Sequence, residues 1–194
     1  MKKTVLYEKH LENNGKMVEY ANYMLPVEYT GLISEHLAVR NSWGMFDCSH
    51  MGEILITGPA STSFIMDMIT SSIGETMRMY YGLLLYEDGG VIDDLMCYHF
   101  NSDKNLLVVN ASNKDKDLEW LNLHSKGYDI EIVDLSNDLG LLAIQGPLAV
   151  TKLKEIANFP IEEMRLFDFV EGKLDGVSYI ISRSGYTGED GFEV

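Results

Sequence analysis

The chain has 194 residues, of which 46% are hydrophobic and 23% charged, the balance of a globular protein with room for one sizeable domain or two small ones. Thirty acidic residues against fifteen basic ones give a net charge of −15, which opposes nonspecific binding to nucleic acid and adhesion to anionic membranes. No apolar run approaches the ~20 residues needed to cross a bilayer, and Met1-Lys2-Lys3-Thr4 opens into a polar stretch unlike a signal or transit peptide, so a cytoplasmic location is expected, or a mitochondrial matrix after processing.

In chain order, the pattern predicts a short helix over 5–13, stopped at Asn13-Asn14-Gly15. A strand-like stretch around Met17 to Tyr20 ends near Pro26. Leu32, Ile33, His36, Leu37 and Arg40 fall at helical spacing, which predicts a helix over Leu32 to Asn41. Glu53 to Thr57 reads as a strand. From Met79 to Asn110 the chain reads as a β-meander: Met79 to Tyr86, a turn at Glu87-Asp88-Gly89-Gly90, Val91 to Phe100, a turn at 101–105, and Leu106 to Asn110. A helix over Asn113 to Lys126 follows, with Leu118, Leu121 and Trp120 inward. Strands are expected at Ile130 to Val133, Leu141 to Gln145, Phe167 to Gly172 and Val177 to Arg183, the last two joined at Asp175-Gly176. Helices and strands mix without strict β-α-β alternation, so the fold class is α+β.

One internal echo stands out. Glu53 to Gly58-Pro59 leads into a helix at 60–69, and Leu141 to Gly146-Pro147 leads into a helix at 148–157. Both read strand, Gly-Pro, helix, with proline suited to the first helical turn. The echo suggests two similar α+β units, or a shared local solution to the same turn. Cys48 and Cys97 lie far apart in apolar segments and read as reduced structural thiols. Neither they nor the five histidines have metal-ligand spacing, and no metal is expected. Asp47, Ser49 and His50 stand too close together in sequence for a hydrolase triad.

Asp93 and Asp94 interrupt the central meander strand, where aspartate is disfavoured. Alternation sends them to opposite faces. Asp93 is expected to be solvated or a turn partner, facing away from Asp94 and supporting structure. Asp94 shares a face with Met96 and Tyr98. Hairpin arithmetic across 87–90 puts Tyr86 opposite Val91 and Tyr81 opposite Met96. A five-residue loop at 101–105 puts Asn110 opposite Met96 as well, whereas a four-residue loop would turn it to the other face. The resulting cluster suits a flat, nitrogen-rich heterocycle: the carboxylate and amide take ring N–H groups and the tyrosines stack. Periodicity alone is equally consistent with Asp94 exposed on a half-solvated sheet. The glycine-spaced segment Arg183 to Glu193 lacks the lysine and spacing of a P-loop. It reads either as a loop bringing Tyr186 and Glu193 to a ligand or as a tight turn.

Taken together, these segments resemble the aminomethyltransferase (T-protein) family of the glycine cleavage system. The match rests on Gly44-Met45-Phe46-Asp47-Cys48-Ser49-His50-Met51-Gly52-Glu53, Gly89-Gly90-Val91-Ile92-Asp93-Asp94-Leu95, Val108-Val109-Asn110-Ala111-Ser112-Asn113, Gln145-Gly146-Pro147 and Ser182-Arg183-Ser184-Gly185-Tyr186-Thr187-Gly188-Glu189-Asp190-Gly191-Phe192-Glu193. Tyr20-Ala21-Asn22-Tyr23-Met24-Leu25-Pro26 and Thr70-Ser71-Ser72 depart from the family pattern. The resemblance covers about the N-terminal half of the family's chain. It implies two intertwined antiparallel-sheet and helix domains of the folate-binding fold, over 1–54 plus 138–194 and over 55–137, with the C-terminal β-domain absent. It implies transfer of an aminomethyl group from the lipoyl arm of the H-protein to tetrahydrofolate, giving 5,10-methylenetetrahydrofolate and ammonia. Asp94 would be the key acid near N10 of the folate. Tyr81, Asn110, Met51, Met96 and Tyr98 would hold the folate or line its slot, and Tyr186 and Glu193 would contact the pterin. The lipoylated H-protein is the implied partner, and a complete monomer the implied state. A related folate-dependent demethylase, or a non-catalytic tetrahydrofolate-binding protein, is the alternative. Because Gly191 to Val194 reads as strand, the sequence is expected to be a piece of a longer protein, with an uncovered apolar face prone to self-association.

Overall fold

A computed structural model describes residues 1–157 and 159–194. Two compact units make up the chain: Met1–His50 with Gly140–Val194, and Met51–Leu139.

The first unit opens with β1 (Lys2–Lys3), α1 (Tyr7–Glu12), β2 (Lys16–Tyr20), β3 (Tyr23–Glu28), α2 (Leu32–Asn41) and β4 (Gly44–Asp47). The single stretch expected to run from Met17 toward Pro26 is in fact a hairpin. Ala21 and Asn22 both take positive φ, 48° and 66°, which makes the tight turn that reverses β2 into β3. Pro26 is tolerated inside β3 because the register shifts beside it, between Lys16 and Met17.

The second unit holds β5 (Gly52–Thr57), α3 (Ser61–Met68), β6 (Arg78–Leu85), β7 (Val91–Asn101), β8 (Lys104–Val109), α4 (Lys114–His124) and β9 (Glu131–Asp134). The chain then returns to the first unit through β10 (Leu142–Gln145), α5 (Ala149–Leu153), a short 3₁₀ turn at Ile161–Glu163, β11 (Phe169–Leu174), β12 (Val177–Ser182) and β13 (Gly191–Glu193). Asp175 and Gly176, at φ 51° and 83°, form the expected tight turn between β11 and β12.

The echo in the sequence is an echo in topology. One five-stranded sheet runs β6-β7-β8-β5-β9 and the other β11-β12-β13-β10-β4, antiparallel throughout. In each, a strand leads through Gly-Pro into a helix and then three strands, the last of which pairs back onto the first. Gly58 and Gly146 make the corner at φ 119° and 130°. A Cβ at Gly58 would stand 2.4 Å from the Asp129 carbonyl oxygen, and one at Gly146 2.5 Å from that of Ser42. The same steric solution therefore serves both units.

In the second unit one sheet face forms the core. Ile54, Ile56, Leu84, Leu95, Cys97, Leu107 and Val109 pack with Phe64 and Ile65 of α3 and Leu121 of α4. Each fully buried aliphatic side chain contributes about 1.5–3 kcal/mol, so this face fixes the register of every strand. The residues between them, Glu53, Tyr81, Asp94, Met96, Tyr98 and Val108, are committed to the opposite face. The first unit has its own core of Ile144, Ala149, Leu153, Ile161, Met164, Ile181 and Phe192.

Candidate functional site

The predicted pairing of Tyr81 with Met96 is present. Toward the 87–90 turn the register shifts: Leu84 pairs with Asp93 but Leu85, not Tyr86, pairs with Val91. Ile92 is thus a bulge residue. Both Ile92 and Asp93 are buried there, at 2% and 3% exposure. The expectation that Asp93 is solvated is corrected: Asp93 is the interior carboxylate and Asp94 the exposed one.

The far turn of the meander is also shorter than expected. Asn101 pairs with Lys104, so Ser102-Asp103 alone connect β7 to β8, and a second register shift falls between His99 and Asn101. Met96 therefore faces Val108, not Asn110. Asn110 moves by two positions and comes beside Asp94. A two-residue slip preserves the face, so Asn110 still shares the side of Asp94.

Asp94 accepts a hydrogen bond from the Tyr81 hydroxyl at 3.2 Å and from Asn110 Nδ2 at 3.0 Å. Loss of hydration and the neighbouring Asp94 charge raise the Tyr81 phenol above its ordinary value, so it remains a proton donor. Tyr81 is 53% exposed. Met96 and Met51 are half-buried, while Tyr98 is buried and lies beneath the surface rather than on it. The open polar group on this face is thus a carboxylate held by one hydroxyl and one amide.

Behind it lies a second layer. Asp93 accepts the Asn110 backbone N–H at 2.9 Å, Asn110 Nδ2 at 2.9 Å and Asn113 Nδ2 at 2.5 Å. The Asn110 carbonyl in turn accepts the N–H groups of Asn113 and Lys114 at the start of α4. Lys116 Nζ donates to the Ile92 carbonyl at 2.7 Å and to Asn113 Oδ1 at 3.2 Å. Asp117, on the inner side of α4, is fully buried. Burial and the adjacent Asp93 carboxylate push its pKa up to about 8. Glu53 is buried as well, and among the described residues no hydrogen-bond donor meets either of its oxygens. Its pKa is pushed up to about 8, first by burial and then by Asp134. Sequence reasoning missed Asp117 and Glu53 as interior acids. A signal existed for the first: Asp117 stands one helical turn before Leu121 and so shares its inward face.

In the first unit, Tyr186 is 88% exposed. With Tyr20, Cys48, His50, Gln145 and Thr187 it lines a cavity of about 240 Å³. The glycine-spaced loop is built around Gln145, which is fully buried. Gln145 Nε2 donates to the carbonyls of Ser184 and Phe192 at 2.8 and 3.3 Å, and its Oε1 accepts from Thr187 Oγ1 at 2.9 Å. Burial raises the Glu193 carboxyl, opposed by a 2.5 Å hydrogen bond from Ser184 Oγ. Asp47 pairs with His10, Nε2 to Oδ2 at 2.8 Å, and the His10 Nδ1 meets the Tyr29 hydroxyl at 2.7 Å. Ser49 hydrogen-bonds at Leu141, so Asp47, Ser49 and His50 form no triad.

The profile of the GCVT N-terminal domain family matches residues 6–194. The chain belongs to that family. Among relatives, it is 44% identical over 196 residues to the aminomethyltransferase of Thermotoga sp. (strain RQ2), covering all of this chain and 54% of that protein. It is 41% identical to the aminomethyltransferase of Thermosipho melanesiensis with the same coverage. The chain thus spans about half the length of these relatives. The solved structure of glycine cleavage system aminomethyltransferase T from Bartonella henselae superposes with a TM-score of 0.91 at 33% identity, over 99% of this chain and 52% of that one. A chain of the heterotetrameric sarcosine oxidase from Corynebacterium sp. U-96 gives a TM-score of 0.59 at 14% identity, over 83% of this chain and 80% of that one, a likeness of fold alone. In this member of the GCVT N-terminal domain family, the Gly-Gly-Val-Ile-Asp-Asp-Leu segment is a turn, a bulge at Ile92 and the regular strand that points Asp93 inward and Asp94 outward.

Proposed function

We propose that the chain carries the acceptor site of an aminomethyltransferase that uses tetrahydrofolate, with the aminomethyl group delivered on the lipoyl arm of an H-protein. The observation that carries this reading is the exposed Asp94 carboxylate, held by Tyr81 and Asn110 on the open face of the meander. A reduced pterin presents N–H groups at the edge of a flat ring system. Asp94 accepts from such a group, Asn110 offers its amide beside it, and the Tyr81 ring and Met96 supply an apolar flank.

In the overall reaction the methylene carbon loses its bonds to sulfur and to the amino nitrogen and gains bonds to N5 and N10. The two hydrogens displaced from N5 and N10 end on the thiol and on ammonia. Positive charge develops on the folate nitrogen as each new C–N bond forms. A fixed carboxylate next to N10 stabilises that charge more than it stabilises the neutral ground state, which is the condition for lowering the barrier. Tyr81 and Asn110 keep Asp94 in place without neutralising it.

The test is Asp94→Asn, which keeps shape and removes charge. Formation of 5,10-methylenetetrahydrofolate from aminomethyl-loaded H-protein should fall by roughly 10²–10³-fold, the usual effect of losing one preorganised electrostatic group. A variant that retains the parent rate would overturn the role given to Asp94.

A further inference from the structure

We propose that Asp117 and Asp93 share one proton and together form the positioning element behind Asp94, with Asp117 the neutral donor and Asp93 the charged acceptor. The inference rests on the acceptor-site reading for its functional meaning and on geometry for its chemistry.

The geometry leaves a donor missing. Asp117 is fully buried, and among the described residues no N–H or O–H reaches either of its carboxyl oxygens. Its polar neighbour is the Asp93 carboxylate. Two ionised carboxylates in contact inside a protein repel strongly and have nothing to bridge them, whereas one proton between them converts the contact into a charge-assisted hydrogen bond. The charged groups facing Asp117 are Asp93 from β7 and Lys116 from its own helix. Lys116 is not the missing donor: its ammonium donates to the Ile92 carbonyl and Asn113 Oδ1 and makes no hydrogen bond to either Asp117 oxygen.

Of the two, Asp93 keeps the charge. Three N–H donors converge on it, two from Asn110 and one from Asn113, while none reaches Asp117. Hydrogen bonds to a carboxylate favour its ionised form and isolation disfavours it.

The consequence reaches the open face. Asn110 Nδ2 contacts Asp93 Oδ1, Asp94 Oδ1 and the Asp94 carbonyl. A single fixed charge on Asp93 orients that amide so that its donors point at the carboxylates and its Oδ1 is left as an acceptor. Ionising Asp117 would put a second charge behind Asp93, push the carboxylates apart and release Asn110, and with it one of the two bonds that hold Asp94.

The test is nuclear magnetic resonance of the ¹⁵N-labelled chain, following the Asn110 side-chain amide between about pH 3 and about pH 10. In the parent protein its signals should shift through a transition centred near 8, where Asp117 ionises. Asp117→Asn keeps the shape and gives Asp93 a permanent neutral donor, so the transition should vanish and the signals should stay at their low-pH positions. A parent transition near the ordinary aspartate value of 3.8 in place of 8, or a transition near 8 that survives Asp117→Asn, would overturn the proposal. The readout requires no turnover, so it stands or falls separately from the aminomethyl-transfer reading.

Discussion

Asp93 grips Asn110 twice, accepting its backbone N–H and its side-chain amide, each at 2.9 Å. This pair of hydrogen bonds ties the start of β7 to the corner where β8 turns into α4. It makes neighbouring aspartates in one strand unequal: one holds the corner together, and the other is held by it.

Stability should therefore distinguish the pair. Asp93→Ala leaves the half-buried Asn110 N–H and Asn113 amide without their acceptor, at up to about 1–3 kcal/mol for each group left unpaired. A loss of about 2–4 kcal/mol is expected. Asp94→Ala removes an exposed side chain and should cost less than about 1 kcal/mol. Urea unfolding followed by circular dichroism gives both values. Equal losses would contradict the division of labour.

Gln145 offers a parallel test in the first unit. Gln145→Ala leaves the Ser184 and Phe192 carbonyls and the Thr187 hydroxyl without their partner. A loss of about 2–4 kcal/mol is expected, together with faster proteolytic cleavage within residues 183–190. Gln145→Glu keeps the volume but replaces the donor with an acceptor facing two carbonyls, and should be at least as damaging.

The pH dependence of stability has a sign fixed by the interior acids. Asp117 and Glu53 are both raised to about 8 in the folded state from ordinary values of 3.8 and 4.5. Between those limits the folded chain binds more protons than the unfolded one, so stability falls as pH rises. Each group's contribution is whole below its unfolded value and gone above about 8. The slope is at most about 1.4 kcal/mol per pH unit for each group. Asp117→Asn and Glu53→Gln should each flatten the decline of the urea midpoint between pH 5 and pH 8. Asp47 acts the other way. Its burial is outweighed by hydrogen bonds from His10 and Ser49 that lower its pKa, so its contribution disappears on acidification.

The two thiols should be inert in the folded protein. Burial pushes Cys97 up to about 12, and burial with the nearby Glu193 and Asp47 charges pushes Cys48 up to about 11. Iodoacetamide at pH 8 should modify neither at an appreciable rate until urea unfolds the chain, when both should react together. Mass spectrometry of the alkylated protein reads this directly.

Much of this fold was legible because apolar periodicity and turn residues agree along most of the chain. Leu32–Asn41 is the helix its spacing predicts, and Asp175-Gly176 the turn its residues dictate. The pairing of Tyr81 with Met96 came out as expected because the bulge at Ile92 offsets a hairpin loop one residue longer than its turn residues suggest. What escaped was local departure from regular pairing. No residue type announces the bulge at Ile92, which buries Ile92 next to Asp93; Asp93 itself follows Leu95 and Cys97 inward by alternation, and Asp94 stays outside. The shift between His99 and Asn101 shortened the next turn, and only its parity kept Asn110 on the right face. Asp117 escaped because a charged residue on a helix is read as solvated by default, whereas here its neighbours supply a proton-sharing partner.

The reading of the Asp94 face is tested most directly by titrating tetrahydrofolate into the ¹⁵N-labelled 194-residue chain and into its Asp94→Asn variant. The Asn110 side-chain amide and the β7 amides around Asp94 should shift with saturation in the parent, and Asp94→Asn should weaken binding by roughly 10-fold or more, the cost of about 1.4 kcal/mol or above expected for a lost charge-assisted hydrogen bond. No shift at Asn110 in the parent, or equal affinity in the two proteins, would contradict it.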